Sequence, residues 1–328
     1  MAASPVELSI RRYADADEPA VLGLLQASLG WVPDDLHARL FEWKHRENPF
    51  GPSPGWVAVD GAHRDRIVGF RTFLRWEFER EGQVVEGVRA VDTATDPGYQ
   101  GRGVFSRLTL GALDELRGAG LAFVFNTPNE RSLPGYLKMG WQTVGRLPVG
   151  ARPRSVRSLA RLIRARTAAE KWSLASPVGR PATEVLADGR ATAGLLAALS
   201  APPGLRTRRT PAFLAWRYGF EPLAYRVLLA GPRLEDGALV FRLRRRGGAT
   251  EAAICDVLVP GAERRTARRL ARRVLAESGA DYAVRVGAGR GFVPLPGQGP
   301  LLVWRSLAAS EMPPRRSWLL NLGDVELF

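Results

Sequence analysis

A glycine-rich turn in the first half of the chain has the residue types of an anion-binding loop. It reads Gln100, Gly101, Arg102, Gly103, Val104 and Phe105. The alternating, Val/Thr-rich residues 84–95 before it predict a strand, and residues 104–117 after it have a helical pattern. Glycines let the backbone turn tightly and expose successive N–H groups, and a helix N-terminus adds positive potential. The turn therefore predicts a phosphate-binding site whose natural ligand is a pyrophosphate.

The same residues exclude two common phosphate loops. The turn lacks the Gly-Lys-Ser/Thr ending of a nucleotide-hydrolysing loop, and it is not the dinucleotide fingerprint G-x-G-x-x-G. It resembles instead the Q/R-x-x-G-x-G/A acyl-CoA loop of the GNAT N-acetyltransferase superfamily. A second segment resembles that family's later N-x-x-A-x-x-x-Y-x-K-x-G-F signature through Asn129, Ser132, Tyr136, Lys138 and Gly140. The resemblance covers roughly residues 6–150.

The resemblance implies a binding site for an acyl-CoA. The backbone N–H groups of residues 100–105 would hold the phosphates. The preceding strand would separate from its neighbour and bind the pantetheine arm as an added strand does. Its residues at that point are Thr93, Ala94 and Thr95. Asn129 and Ser132 would then line the CoA channel.

Acyl transfer to an amine also needs a proton donor for the departing thiolate and a neutral amine. Tyr136 is the candidate general acid, because a tyrosine hydroxyl is protonated at neutral pH. Asp92 is one candidate base, although its recurrence as Asp256 later in the chain favours a structural role. Glu42 and a water chain are the alternatives. The three histidines lie on polar stretches and are predicted at the surface: His37, His45 and His63.

Arginine dominates a strongly basic composition. The chain has 47 Lys+Arg against 33 Asp+Glu, which gives a formal net charge of +14, and its lysines are Lys44, Lys138 and Lys171. Such a charge suits an anionic partner such as CoA, a nucleotide-linked substrate, tRNA or an acidic membrane. We attribute most of it to a genome that favours arginine codons. The charge alone therefore does not indicate nucleic-acid binding.

The cysteine and histidine counts limit redox and metal chemistry. Cys255 is the single cysteine, which excludes an internal disulfide and fits a reducing cytoplasm. One cysteine and three histidines without paired spacing predict no metal site. No run of about 18 apolar residues is present, and the first residues lack a long apolar region. We therefore expect a cytoplasmic protein without a spanning helix.

The length of 328 residues favours two domains. Residues 1–150 read as alternating strands and helices, which predicts a mixed α/β sheet in which residues 141–149 form the last strand. Residues 151–180 read as a basic linker with an amphipathic helix over residues 155–172. That helix either lies on an anionic membrane surface or packs between the domains, and its short apolar stripe without aromatic anchors favours packing.

Residues 181–328 repeat short features of the first domain in the same order. The echoed pairs include Trp43 and Trp216, Arg71 and Arg242, Asp92 and Asp256, and Gly140 and Gly291. Their shared order predicts a tandem pair of GNAT-like domains. At the phosphate-loop position, residues 260–265 have lost the glycine pattern and carry the carboxylate of Glu263. The second domain is therefore predicted to be degenerate and catalytically silent, with acyl-CoA bound in the first domain alone.

These features predict an N-acyltransferase that moves acetyl from acetyl-CoA to a primary amine of a small molecule or amino sugar, by direct attack in a ternary complex. One alternative is a tRNA-dependent aminoacyl transferase of cell-wall type, which such tandem architecture also resembles. Another is a non-catalytic acyl-CoA-binding module, which is favoured if Phe105 blocks the phosphates, since a small residue is usual at that position. The acceptor, the acyl chain length and the oligomeric state stay open.

Overall fold

The computed structural model describes residues 8–326 apart from residues 33, 165–166, 288, 290 and 309. The strands in chain order are β1 (Leu8–Arg12), β2 (Gly55–Asp60), β3 (Arg66–Arg80), β4 (Gln83–Thr95), β5 (Phe123–Asn126), β6 (Gln142–Arg146), β7 (Val149–Pro153), β8 (Arg180–Pro181), β9 (Arg206–Thr207), β10 (Arg226–Leu229), β11 (Ala238–Arg246), β12 (Ala249–Leu258), β13 (Tyr282–Val286), β14 (Val293–Pro294) and β15 (Leu301–Ser306). The helices are α1 (Glu18–Leu29), α2 (Asp35–His45), α3 (Val104–Gly111), α4 (Leu113–Gly118), α5 (Leu133–Lys138), α6 (Val156–Arg164), α7 (Ala182–Val185), α8 (Gly189–Ala197), α9 (Pro211–Gly219), α10 (Arg264–Ser278) and α11 (Leu322–Val325).

The chain divides into two compact units and changes unit more than once. The first unit takes the chain up to Phe78, then Gln83–Gly145 and Leu301–Pro313. The second unit takes Glu79–Gly82, Arg146–Pro300 and the chain from Pro314 onward. The expected domain boundary at residue 150 consequently falls inside β7, which belongs to the sheet of the second unit.

The first unit is a mixed α/β layer, as the sequence predicts. Its sheet has the order β1-β2-β3-β4-β5-β15-β6. Strand β2 is buried throughout, and its alternate side chains enter two different cores. Trp56 and Ala58 join the residues of α3 and α4, whereas Val57 and Val59 join those of α1 and α2. Helices therefore cover both faces of this sheet.

The second unit has a sheet of the order β8-β10-β11-β12-β13-β7-β14. In both sheets the first two strands pair antiparallel, the fourth and fifth pair parallel, and the fifth and sixth pair antiparallel. The sixth strand is β15 in the first unit and β7 in the second. Each sheet thus takes this strand from the other half of the sequence.

Two elements differ from the sequence expectation. Residues 141–149, expected as one strand, separate into β6 and the start of β7, which lie in different sheets. The basic helix expected over residues 155–172 ends at Arg164, and residues 167–172 are not helical. Residues 165–166 lie outside the described part of the chain. Helix α6 packs in the second unit, where Ser158 is buried and Arg161 pairs with Asp281 at 2.8 Å.

Candidate active site

The glycine-rich turn connects β4 to the N-terminus of α3. Gly101 and Gly103 have φ values of +75° and +74°, which glycine adopts with little strain, and Gly103 is the N-cap of α3. The first helical hydrogen bond runs from the Arg107 N–H to the Gly103 carbonyl at 2.9 Å. The N–H groups of residues 104–106 therefore have no carbonyl partner within the helix. This end of α3 presents backbone donors and the positive end of the helix dipole.

Side chains hold the start of this turn in place. Asp96 accepts a hydrogen bond from the Gly98 N–H at 2.9 Å and pairs with Arg66 at 2.5 Å. The Tyr99 hydroxyl donates to Asp60 at 2.5 Å and is buried. Residues 100–103 after it are exposed, and no heavy atom lies within 4 Å of where a Cβ would stand on Gly101 or Gly103. The start of the turn is therefore held by side-chain contacts, whereas residues 100–103 are accessible to a ligand.

Phe105 points into the core of the first unit. Its ring packs edge-on against Tyr136, with centroids 5.3 Å apart, and it joins the cluster that contains Val104 and Leu108. A Cβ on Gly135 would lie 2.9 Å from the Phe105 ring, so a glycine is needed where α5 passes it. The side chain therefore does not crowd the phosphate position, and the condition that favoured a non-catalytic binding module is not met.

Strand β4 continues past the end of its pairing with β5, and we call residues 90–95 its separated end. The parallel register runs from Gly87 opposite Phe123 to Arg89 opposite Phe125, and β5 ends at Asn126. Residues 90–95 of β4 continue past that register. Within them Ala94 is buried, and Thr93 and Thr95 are half-buried. The backbone beyond Arg89 therefore has the geometry that an added strand would use.

Arg71 connects this separated strand to α5. It lies on β3 with 1% of its surface exposed, and it donates to the Thr93 hydroxyl. Its other terminal nitrogen donates to the Tyr136 hydroxyl at 2.7 Å. Tyr136 is itself buried and stacks edge-on with Trp141, with centroids 5.3 Å apart. One guanidinium thus fixes the candidate acid relative to the strand.

Arg71 carries a buried positive charge, and no carboxylate of the described residues forms an ion pair with it. Its Nε has no hydrogen-bond partner, and its guanidinium lies about 5 Å from the rings of Phe73 and Tyr136. Burying an uncompensated charge is costly, and such groups cluster at functional sites. Sequence reasoning missed this residue. A lone arginine within the apolar run of residues 67–74 was the available signal.

Asp92 forms a buried cluster with two residues of α2. Lys44 donates to its carboxylate at 2.8 Å, and His45 Nε2 lies 2.8 Å from the same oxygen. Burial favours protonation of Asp92, but Lys44 and His45 outweigh it and hold the pKa of that carboxyl well below its usual value. Burial lowers the pKa of His45 despite Asp92, so its ring is neutral and Nε2 carries the proton. Asp92 also has φ +40° inside β4.

The predicted surface positions of the histidines are therefore wrong for two of the three. His37 and His45 are 5% and 4% exposed, whereas His63 is exposed. His37 is buried beside Trp31, with ring centroids 5.0 Å apart. Helix α2 is amphipathic, and the face that carries His37 and His45 turns toward the core, because apolar residues of the same helix occupy that face.

Asn129 and Ser132 form a hydrogen-bonded turn just before α5. The Asn129 side-chain oxygen accepts from the Ser132 N–H at 2.9 Å and from the Ser132 hydroxyl at 3.1 Å. Asn129 is exposed and Ser132 is half-buried. The hydrogen bonds between them hold the turn that leads into α5, the helix of Tyr136.

The described residues contain neither a metal-binding cluster nor a membrane-spanning helix. No group of three or more His, Cys, Asp or Glu side chains has an arrangement that could hold a metal ion. Across the same part of the chain, every helix is too short or too polar to span a membrane. The lone thiol, Cys255, is free and buried in the second unit, where burial raises its pKa.

Comparison with known proteins identifies the class of this site. Residues 9–144 match the family model of the acetyltransferase (GNAT) domain. They are a GNAT acetyltransferase domain, and the loop, the separated strand and Tyr136 lie within them.

Individual relatives extend this result. The chain is 29% identical over 143 residues to the mycothiol acetyltransferase of Nocardia farcinica, a match that covers 42% of this chain and 46% of the relative. The chain spans about half the length of the curated relatives it matches.

Solved structures share the fold over almost the whole chain. The GCN5-related N-acetyltransferase of Kribbella flavida is 16% identical with a TM-score of 0.59, and the match covers 93% of this chain and 72% of that one. The GCN5-related N-acetyltransferase of Anabaena variabilis is 13% identical with a TM-score of 0.59, and its match covers 92% and 73%.

Proposed function

We propose that this protein is an acetyl-CoA-dependent N-acetyltransferase that acts on a primary amine of a small molecule or amino sugar. The observation that carries the proposal is the buried contact between the Arg71 guanidinium and the Tyr136 hydroxyl, beside the separated end of β4. The GNAT domain match over residues 9–144 supports acetyl transfer. The name of the mycothiol acetyltransferases supports a small-molecule acceptor.

The residues present fit acetyl-CoA as the donor. The open turn and the N-terminus of α3 would hold its phosphates through the N–H groups of residues 101–105. Residues 93–95 would accept the pantetheine arm along the separated strand, and Asn129 and Ser132 would border the channel. When bound, acetyl-CoA supplies an activated thioester. No metal enters this proposal.

Tyr136 would donate its proton to the departing sulfur as the amine attacks the acetyl carbon. That donation leaves negative charge on the phenol oxygen, which lies 2.7 Å from a terminal nitrogen of Arg71. A preorganised, buried cation stabilises such charge without rearrangement. Solvent then restores the Tyr136 proton, and the proton lost by the amine leaves to solvent or to a base.

Asp92 is the side chain that the sequence suggests as that base, and its surroundings favour a positioning role. A carboxylate held well below its usual pKa by Lys44 and His45 binds a proton weakly, so it is a poor base near neutral pH. It instead fixes α2 against β4 at the point where β4 separates. We propose that a water molecule takes the amine proton.

We further propose that the second unit is a degenerate copy of the GNAT fold and is catalytically silent. The two sheets have the same strand order, and in both the parallel register ends three residues before an aspartate, at Arg89 and at Ala253. The free, buried Cys255 fits a reducing compartment, so we propose a cytoplasmic location.

The test is a screen of amines with detection of released CoA thiol, followed by kinetics of Tyr136→Phe on the acceptor found. We expect turnover to fall by roughly 10²-fold or more, with CoA affinity unchanged within about twofold, because the hydroxyl acts in the chemical step. Tyr13→Phe is the matched control, since it removes a hydroxyl from a half-buried ring of the same unit.

Equal turnover in Tyr136→Phe and wild type would overturn the role of Tyr136. CoA binding without turnover on any amine would favour a binding module, and activity that requires charged tRNA would favour the aminoacyl transferase.

A further inference from the structure

The second unit contains a cavity of about 600 Å³ between α10 and strands β7 and β12 of its sheet. Strands β7 and β12 form one wall, α10 forms another, and Gly289 and Phe292 line the end. Its volume is within the range of small-molecule sites, about 300–1,000 Å³. All its lining residues belong to the second unit, so it is separate from the site described above.

Four arginines line this cavity: Arg152, Arg264, Arg268 and Arg285. None of them forms an ion pair with a carboxylate of the described residues, and Arg264 and Arg268 make no hydrogen bond there. Burial lowers the pKa of Arg285 in spite of the nearby Asp256, whose carboxylate already accepts from Arg209, Tyr218 and Asn321. Arginine stays protonated under such conditions, so the cavity holds uncompensated positive charge.

The rest of the lining is apolar. Ile254 and Val257 of β12 face Ala267 and Ala271 of α10, and Phe292 closes the end of the cavity. The Arg285 guanidinium lies 5.8 Å from the Phe292 ring centroid, where charge and apolar surface meet. A ligand that satisfies both parts of the lining carries an anionic group and an apolar body.

We propose that this cavity is a binding site for a small amphipathic anion with a phosphate or carboxylate head. Guanidinium groups recognise both heads through paired N–H donors. The apolar walls would contact the body of the ligand and exclude water from it. The site is independent of the acetyl-transfer proposal, because it rests on residues of the second unit alone.

Recognition here uses side chains and not a backbone loop. The turn before α10 has Glu263 as its N-cap, and the Glu263 carboxylate accepts from the Thr266 hydroxyl at 2.6 Å. A carboxylate at the helix N-terminus repels a pyrophosphate from the backbone donors. The four guanidinium groups are therefore the anion-recognising part of this unit.

The test measures binding of octyl phosphate to the full chain by calorimetry. We expect saturable binding of one equivalent, with inorganic phosphate and 1-octanol each binding much more weakly, since each offers half of the chemistry. The double variant Arg264→Gln/Arg268→Gln should weaken octyl phosphate binding by about tenfold or more. These side chains have no protein partner, so folding should be unaffected, and a melting curve verifies this.

The matched control is Arg265→Gln/Arg269→Gln, which removes the same charge with the same spacing one residue further along α10. It should change octyl phosphate binding by less than about twofold. Gly103→Glu in the first unit should leave that binding unchanged. Equal losses in the two double variants, no saturable binding, or loss in Gly103→Glu would overturn the proposal.

Discussion

Each unit buries an arginine at the echoed position of the third strand of its sheet, and these two arginines have different partners. Arg71 in the first unit donates to two hydroxyls, those of Thr93 and Tyr136. Arg242 in the second unit pairs with the carboxylate of Glu326 at 2.7 Å. The first buried cation is left with its charge uncompensated, whereas the second is neutralised by an acid.

The aspartates of the fourth strands differ in a similar way. Asp92 accepts from His45, which follows Trp43 by two residues, and Asp256 accepts from Tyr218, which follows Trp216 by two residues. The aspartate accepts from the equivalent position in both units, but the partner is an imidazole in the first and a phenol in the second. These differences support the proposal that the second unit is a catalytically silent copy.

Replacing the buried arginine of each unit should have the largest effect on the free energy of unfolding. Arg242→Met removes the bidentate partner of the buried Glu326 and leaves Arg244 as its remaining partner, so we expect a loss of about 2 kcal/mol in the free energy of unfolding. Arg71→Met removes a cation that has no acid, so the stability should change by about 1 kcal/mol or less while turnover is lost. Chemical denaturation of both variants, with activity measured in parallel, makes the comparison. Similar losses of stability would mean that Arg71 is compensated after all.

A smaller effect is expected from pH. The folded-state pKa of His45 is lowered, so the unfolded chain binds more protons below its usual value of about 6.5, and the first unit loses stability as the pH falls through that range. The loss begins below about pH 6.5, where the unfolded chain takes up the proton that the folded chain does not. Burial raises the pKa of Tyr218 and of its partner Asp256, so a fall in pH does not destabilise the matching contact in the second unit.

Hydrogen exchange followed by mass spectrometry measures this difference, after correction for the intrinsic pH dependence of exchange. Peptides of β4 should lose protection between pH 6.5 and 5.5, and peptides of β12 should keep theirs. The variant His45→Gln should remove the difference. Equal loss in both strands, or an unchanged difference in the variant, would show that His45 is not the titrating group.

Local signals in the sequence predicted the strand, turn and helix of the candidate site. The two glycines with positive φ, the helix after them and the alternating strand before them are encoded within some twenty consecutive residues, so their pattern was sufficient. The mixed α/β class followed from the same periodicity. The order of the echoed residues likewise matched the strand order of the two sheets.

The contacts that complete the site are long-range, and no local pattern contains them. Arg71 meets Tyr136 across 65 positions of sequence, and His45 meets Asp92 across 47. The sheet to which β7 belongs could not be predicted from the sequence either. Its neighbour β13 lies in the other half of the chain, and the apolar alternation of residues 141–153 does not show which sheet receives each part.

The most direct test of a single acyl-CoA site compares two glycines that precede equivalent helices. Gly103 and Gly261 have φ values of +74° and +59°, and neither has a heavy atom within 4 Å of where a Cβ would stand. Glutamate at either position therefore brings similar backbone strain and the same charge. Calorimetry of CoA binding should find no detectable binding to Gly103→Glu and wild-type affinity for Gly261→Glu. Undiminished binding to Gly103→Glu, or equal loss in both variants, would contradict a site confined to the first unit.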